Sequence, residues 1–99
     1  MKPSEALSLH RAEILEVLSR YPVENPRVFG SVARGEDHEK SDIDLLVDNL
    51  PGFTLFQYGQ MIDDLESVIQ KKIDVVTISS LLNGNPKFLE RARKEAVPL

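Results

Sequence analysis

Hydrophobic residues recur at helical spacing over the start of the chain and predict one amphipathic helix from Ser4 to Arg20. Charged residues fill the positions between its apolar ones, which are Leu7, Ile14, Leu15 and Leu18. The hydroxyl of Ser4 can accept a hydrogen bond from an N–H group of the first turn, so Ser4 is the expected N-cap. Pro22 and the Asn25-Pro26 pair end the helix and force an extended or turning backbone.

Three later segments have the pattern of strands. Arg27–Phe29 is short and apolar at its end, and it stops at Gly30. Asp42–Asp48 alternates carboxylates with apolar residues, as a strand with one buried face does. Residues 73–78 are β-branched except for Asp74, which predicts a third strand.

Three further helices complete the expected elements. Ser31–Arg34 predicts a single helical turn, and the spacing of apolar residues predicts a long amphipathic helix over Leu55–Ile69. The last helix is expected to begin at Pro86, with Asn85 as its cap, and to end near Glu95. This order predicts an α/β (α+β) fold, a small mixed β-sheet with helices packed on one face, and a single domain over residues 1–99.

Composition and charge narrow the classes of function. The chain has 99 residues, with 41% hydrophobic and 28% charged, as ordinary folded proteins do. Acidic residues number 16 and basic residues 12, so we expect no direct binding to nucleic acid, whose phosphates require basic surfaces. We expect no membrane span, because no apolar run approaches the roughly 20 residues that one requires. The absence of cysteine and of a signal-peptide pattern favours the cytoplasm.

The carboxylates of the second and third predicted strands suggest a metal site. Asp42 and Asp44 are two residues apart, so both point to the same face of their strand and repel each other. Mg²⁺ relieves this conflict, since it takes oxygen ligands from carboxylates and substrate phosphates. If the strands pair, Asp74 joins them at one site. The alternatives are an exposed acidic strand face for the first two, and an ion pair with Lys71 or Lys72 for Asp74.

The Gly30-Ser31 turn suggests a phosphate site. A strand that ends in glycine and turns into a helix lets backbone N–H groups approach a phosphate closely, and Ser31 adds a hydroxyl donor. Arg34 has several interpretations: it contacts phosphate, orients the loop through Asp42, binds a partner, or is simply solvated. Ser41 either braces the start of the Asp42 strand or contacts the nucleotide.

The motifs together resemble those of the DNA polymerase β-like nucleotidyltransferase superfamily. Phe29-Gly30-Ser31 is followed after ten residues by Asp42-Ile43-Asp44-Leu45, and Ile73-Asp74-Val75 comes later. The longer strings, from Phe29 to Gly35 and from Ser41 to Val47, look like the minimal nucleotidyltransferases, or MNT proteins. The motifs span residues 29 to 75, and the order of elements extends the likeness over nearly the whole chain.

The resemblance implies a role for each motif residue. In the family, the residues matching Asp42 and Asp44 bind the metal ions. The residue matching Asp74 completes the site and helps to activate the acceptor hydroxyl, and those matching Gly30 and Ser31 hold the triphosphate. The resemblance thus implies Mg²⁺ as cofactor, ATP as substrate and a polymerase β-like core.

The resemblance also implies a partner. MNT proteins are often encoded beside HEPN-domain RNases and act as their antitoxins, and some transfer AMP from ATP to a tyrosine of the toxin. The expected function is therefore AMP transfer to a HEPN-type toxin, by a homodimer or by a hetero-oligomer with the toxin. The competing hypothesis is a non-catalytic antitoxin that acts by occlusion. Transfer to RNA or to a small molecule is a third possibility, and the negative charge counts against it.

Overall fold

The computed structural model describes residues 1–78 and 86–99, where the predicted order of helices and strands is found except that the first helix is divided in two and a short strand is added at the end. Its helices are α1 (Pro3–Leu9), α2 (Arg11–Ser19), α3 (Gly30–Arg34), α4 (Leu55–Ile69) and α5 (Pro86–Glu95). Its strands are β1 (Val23–Phe29), β2 (Ile43–Asn49), β3 (Ile73–Thr77) and β4 (Val97–Pro98). The predicted cap Asn85 lies outside the described residues.

The four strands form one mixed sheet in the order β3-β2-β1-β4. β2 and β3 are parallel, whereas β1 is antiparallel to both β2 and β4. The predicted fold class, an α/β protein with a small mixed sheet, is confirmed. Because β2 is central, Asp44 lies between Phe29 of β1 and Asp74 of β3.

Helices cover both faces of the sheet. The larger core joins α1, α2 and α4 to one face, and Ile14, Leu45, Met61, Leu65 and Val75 are fully buried there. α5 packs on the opposite face, where Leu89 and Ala92 contact a second cluster formed by Phe29, Leu46 and Val76. The expected packing on one face therefore holds for α1, α2 and α4 but not for α5. The physical reason is that alternating strand residues leave apolar side chains on the second face, and these also need cover.

The predicted N-terminal helix is two helices that meet at His10, whose ψ of 16° breaks the helical path. The prediction of Ser4 as N-cap is wrong, because α1 begins at Pro3, and proline favours the first helical position. Glu5 accepts a hydrogen bond from the N–H of Lys2 at 2.8 Å, and Asp37 Oδ2 accepts one from the N–H of Ser4 at 2.9 Å. A carboxylate from a distant loop thus takes the expected role of the Ser4 hydroxyl.

Strand boundaries also differ from the predicted ones. β1 begins at Val23, four residues before the predicted start at Arg27. Its pairing with β2 is irregular between Glu24 and Arg27, where Pro26 lies. Proline is tolerated at such an irregularity because the ladder hydrogen bonds are already interrupted. β4 was not predicted, since two residues carry no recognisable pattern. β2 begins at Ile43, so Asp42 precedes the strand instead of starting it.

The long central helix is confirmed with the predicted bounds. α4 covers Leu55–Ile69, and the side chain of Thr54 accepts a hydrogen bond from the N–H of Gln57 at its start. Three apolar residues at spacings of four, Met61, Leu65 and Ile69, are buried against the sheet. Neither α4 nor any other helix within residues 1–78 and 86–99 has the length and apolar character needed to span a bilayer.

Candidate active site

The turn after β1 brings backbone against a carboxylate. Phe29 is the Cα partner of Asp44, and the chain then turns at Gly30 into α3. Gly30 has φ +74°, a left-handed conformation that residues with a Cβ rarely adopt. A Cβ at this position would lie 2.4 Å from Oδ2 of Asp44, well inside van der Waals contact. The backbone conformation therefore favours glycine at position 30, and a Cβ there would force the Asp44 carboxylate to shift.

Asp44 and Asp74 are neighbours across the parallel strands β2 and β3, where their Cα atoms are register partners. Asp44 is two residues from Leu46, and Asp74 is two residues from Val76, so each carboxylate points to the same face of the sheet as its apolar neighbour. That is the face that α5 covers. Adjacent strands are about 4.8 Å apart, which places the two carboxylates side by side. Neither carboxylate forms an ion pair within residues 1–78 and 86–99.

Asp42 lies at the edge of this pair. Its Oδ2 is 3.9 Å from Nζ of Lys72, and its side chain is 39% exposed, so the pair is a surface contact of small energy. Lys71 donates instead to the backbone oxygen of Glu39 at 3.4 Å. The alternative interpretation of Asp74, an ion pair with one of these lysines, is therefore not what the structure shows.

Burial is the main reason why the pKa of Asp44 is raised from 3.8 to about 6. The carboxylates of Asp74 and then Asp42 raise this pKa further, and the guanidinium of Arg34 opposes them. The ionised form of Asp44 is thus unfavourable in the folded, metal-free protein. A cation between the carboxylates would remove this penalty, because it favours the charged form.

The raised pKa makes the stability of the metal-free protein pH-dependent. Between about pH 3.8 and 6 the Asp44 carboxyl is protonated in the folded state but charged in the unfolded chain. The folded state thus binds more protons, and the free energy of unfolding falls as the pH rises through this interval. We expect Asp44→Asn to be about 2 kcal/mol more stable than wild type at pH 7 and equal to it at about pH 3.5. Urea denaturation in EDTA measures both differences, and a gap independent of pH would contradict the prediction.

The carboxylates fit Mg²⁺ by their chemistry. Mg²⁺ is commonly held by one or two carboxylates together with substrate phosphates, and Asp44 and Asp74 supply two adjacent oxygen ligands whose repulsion a cation would relieve. In the described part of the chain no three acidic or histidine side chains stand close enough to hold a metal ion by themselves. The structure therefore brings Asp44 and Asp74 together and leaves Asp42 beside Lys72.

A cleft of about 310 Å³ opens beside Asp44, between α3 and α5. This volume lies at the lower end of the range for small-ligand sites. Gly30, Ser31 and Arg34, three of the residues predicted to contact nucleotide, line the cleft, and Ser41 does not. The hydroxyl of Ser41 accepts a hydrogen bond from the N–H of His38 at 3.0 Å, so it braces the loop before β2.

Arg34 connects α3 to the end of α5. Its Nε donates to Glu36 Oε1 at 2.7 Å, and its Nη1 donates to Glu95 Oε2 at 3.0 Å. The hydrogen bond to Glu36 is the main cause of a raised pKa for Arg34, so the guanidinium stays charged. A contact with Asp42, one of the alternatives for Arg34, is not among its hydrogen bonds within residues 1–78 and 86–99.

Two residues of α5 that were not predicted as site residues, Arg91 and Glu95, also line the cleft. Leu89 and Ala92 fix the helix against the sheet, and the helical repeat carries Arg91 and Glu95 to the side that faces Gly30. Their i,i+4 spacing beside a buried apolar stripe was the available signal. The sequence did not show which face of the sheet α5 covers.

A family model described as a nucleotidyltransferase domain matches residues 11–99. The chain belongs to this family. A Methanocaldococcus jannaschii protein named "Putative protein adenylyltransferase MJ0435" is 36% identical over 87 residues, covering 88% of this chain and 90% of that protein. Protein adenylyltransferase MntA of Thermococcus cleftensis is 36% identical over 85 residues, covering 86% of this chain and 83% of that protein.

Solved structures support the nucleotidyltransferase fold. One, described as a "putative minimal nucleotidyltransferase", is 38% identical with a TM-score of 0.82 and covers 97% of this chain and 95% of its own. A toxin–antitoxin structure, MntA–HpeT, has a TM-score of 0.71 at 15% identity, covering 87% of this chain and 68% of its own. Another toxin–antitoxin structure, with AMP-PNP, has a TM-score of 0.62 at 22% identity. It covers 85% of this chain and 82% of its own chain. The predicted likeness to minimal nucleotidyltransferases is confirmed.

Proposed function

We propose that this nucleotidyltransferase is the antitoxin of a toxin–antitoxin pair in the cytoplasm and transfers AMP from Mg²⁺·ATP to a tyrosine hydroxyl of a HEPN-type RNase toxin. The observation that carries the proposal is the pair Asp44 and Asp74 on adjacent parallel strands, with the Gly30 turn closed against Asp44. The relatives named protein adenylyltransferases support the reaction. The two toxin–antitoxin structures of the same fold support the partner.

Each residue of the site has a chemical role in this proposal. Asp44 and Asp74 would hold Mg²⁺ through their carboxylate oxygens, and Asp42, whose contact with Lys72 is a weak surface one, would be a further ligand. The bound metal supplies stabilisation of negative charge on the phosphate oxygens. Gly30 and Ser31 hold the triphosphate by backbone N–H and hydroxyl donors.

The transfer exchanges one phosphorus–oxygen bond for another. The tyrosine oxygen of the partner forms a bond to the α-phosphorus, the bond between that phosphorus and the β-phosphate oxygen breaks, and pyrophosphate leaves. We assign the hydroxyl proton to a carboxylate oxygen of Asp74, which is the register partner of Asp44 on the neighbouring strand. Arg34, held by Glu36 and Glu95, keeps α3 and α5 on either side of the cleft.

Intact mass spectrometry of the co-expressed partner tests the proposal. With ATP and Mg²⁺, the partner is expected to gain about 329 Da for each AMP residue added. The double variant Asp42→Asn/Asp44→Asn is the matched control and is expected to leave the mass of the partner unchanged. A partner whose mass never changes, but which both versions of the protein bind and inhibit, would overturn the catalytic proposal and establish the competing hypothesis of occlusion.

A further inference from the structure

One cation of the cleft has no role in the function proposed above. Arg91 lies on α5 and lines the cleft together with Gly30, Ser31 and Asp44. Its side chain is exposed. It forms no ion pair or hydrogen bond that the structure records within residues 1–78 and 86–99, whereas the other arginine of the cleft, Arg34, is bound to Glu36 and Glu95.

The position of Arg91 is set by the packing of α5. Leu89 and Ala92 are buried on the sheet, at 9% and 1% exposure, and they fix how the helix is rotated about its axis. The ion pair between Arg34 and Glu95, one helical turn after Arg91, fixes the end of the helix against α3. Arg91 is thus an exposed side chain on a helix held at two points, and its backbone position is defined although its guanidinium has no partner among residues 1–78 and 86–99.

Apart from Arg91, the charged residues around the cleft in the described part of the chain offer no unpaired cation to the phosphates of a bound nucleotide. Asp44 and Glu95 line the cleft, Asp74 is the register partner of Asp44, and Arg34 is already paired with two carboxylates. A triphosphate with several negative charges, bound here, requires a cation for the phosphates that lie away from the carboxylates, and the departing pyrophosphate gains further charge during transfer. A planar guanidinium that can donate two parallel hydrogen bonds suits a phosphate group.

We infer that Arg91 binds the pyrophosphate part of the nucleoside triphosphate and stabilises it as the leaving group. The inference rests on the proposed function, because it requires a triphosphate in this cleft. It assigns to α5 the recognition of the triphosphate tail, opposite the Gly30-Ser31 turn. ATP is then distinguished from AMP by a residue outside the strand motifs.

Calorimetric titration of ATP and of AMP, each with Mg²⁺, into the purified protein tests this inference. Arg91→Ala is expected to weaken ATP binding about 10- to 100-fold and AMP binding less than about 2-fold, because only ATP has the phosphates that Arg91 contacts. Arg91→Lys is expected to give an intermediate loss, since an ammonium keeps the charge but not the bidentate geometry. Arg93→Ala is the matched control: it removes the same charge from the same helix outside the cleft, and both affinities should stay unchanged.

Each other result overturns the inference in a distinguishable way. ATP affinity unchanged in Arg91→Ala would show that Arg91 does not contact the nucleotide. Equal losses for ATP and AMP would show that it contacts something other than the pyrophosphate part. If wild type binds neither nucleotide, the proposed function fails together with the inference. If wild type binds ATP but never modifies its partner, the proposed function fails while the comparison at Arg91 still decides the inference.

Discussion

Gly30→Ala is expected to lower the free energy of unfolding by about 3 kcal/mol, and Gly35→Ala by only about 1 kcal/mol. Both glycines have nearly the same left-handed backbone, with φ of +74° and +72°, so both variants incur a similar conformational cost. The two positions differ in the space available for a Cβ atom. A Cβ at Gly30 would meet Asp44 Oδ2 at 2.4 Å, whereas a Cβ at Gly35 would meet no atom within 4 Å. The difference between the variants therefore isolates the contact between the turn and the carboxylate.

Urea denaturation at pH 7 in EDTA measures this pair of variants. The contact is with a side chain and not with backbone, so Gly30→Ala has one route of relief, rotation of the Asp44 carboxylate away from the turn. That rotation displaces a predicted metal ligand. We therefore expect Gly30→Ala to lose Mg²⁺-dependent activity in addition to stability, while Gly35→Ala keeps its activity. Equal losses of stability in the two variants would contradict the steric argument.

Asp44→Asn is expected to reduce AMP transfer at least about 10³-fold while the protein remains folded. The variant keeps the size of the side chain and removes the charge that a metal ion requires. Since ionised Asp44 is unfavourable in the metal-free protein, the variant should also be more stable, and that gain, once measured, would exclude misfolding as the cause of lost activity. Initial rates of AMP incorporation into the partner, at saturating ATP and Mg²⁺, measure the effect.

Asp63→Asn is a matched control for this substitution. Asp63 is exposed on α4, remote in sequence from the strand motifs, and it does not line the cleft. Its loss changes the net charge by the same amount, and the transfer rate should stay within about 2-fold of wild type. A tenfold or smaller loss for Asp44→Asn would remove Asp44 from the catalytic group and leave the reaction to other residues.

The parts of the fold that follow local patterns could be predicted from the sequence. Alternation over Ile43–Asn49 and the apolar repeat of α4 are long enough to define a strand and a helix within about one residue. The pairing of Asp44 with Asp74 followed once the two strands were expected to be neighbours. Gly30 and Ser31 were predicted as site residues because a strand that ends in glycine and turns into a helix can bring backbone N–H groups close to a phosphate, and because the turn belongs to the family motif.

The remaining features depend on contacts between distant residues. The break at His10 and the two-residue strand β4 are stabilised by packing and by pairing with β1, and neither has a local signature. The position of α5 on the second face depends on Leu46 and Val76, which a strand pattern cannot assign to one helix or another. Asp42 was expected beside Asp44, but the strand begins one residue later and Lys72 lies close to its carboxylate.

The central position of β2 has a consequence for the register in which this strand pairs with its neighbours. Ile43 and Leu45 are fully buried on one face, and Asp44 between them lies on the other. A slip of β2 by one residue would carry this carboxylate into the larger apolar core and move Leu45 to the face that carries the cleft, so the acidic residue penalises every odd misalignment. Replacing Asp44 with an apolar residue would remove that penalty and leave a strand able to pair in more than one way. The residue proposed for chemistry thus also protects the chain against misassembly.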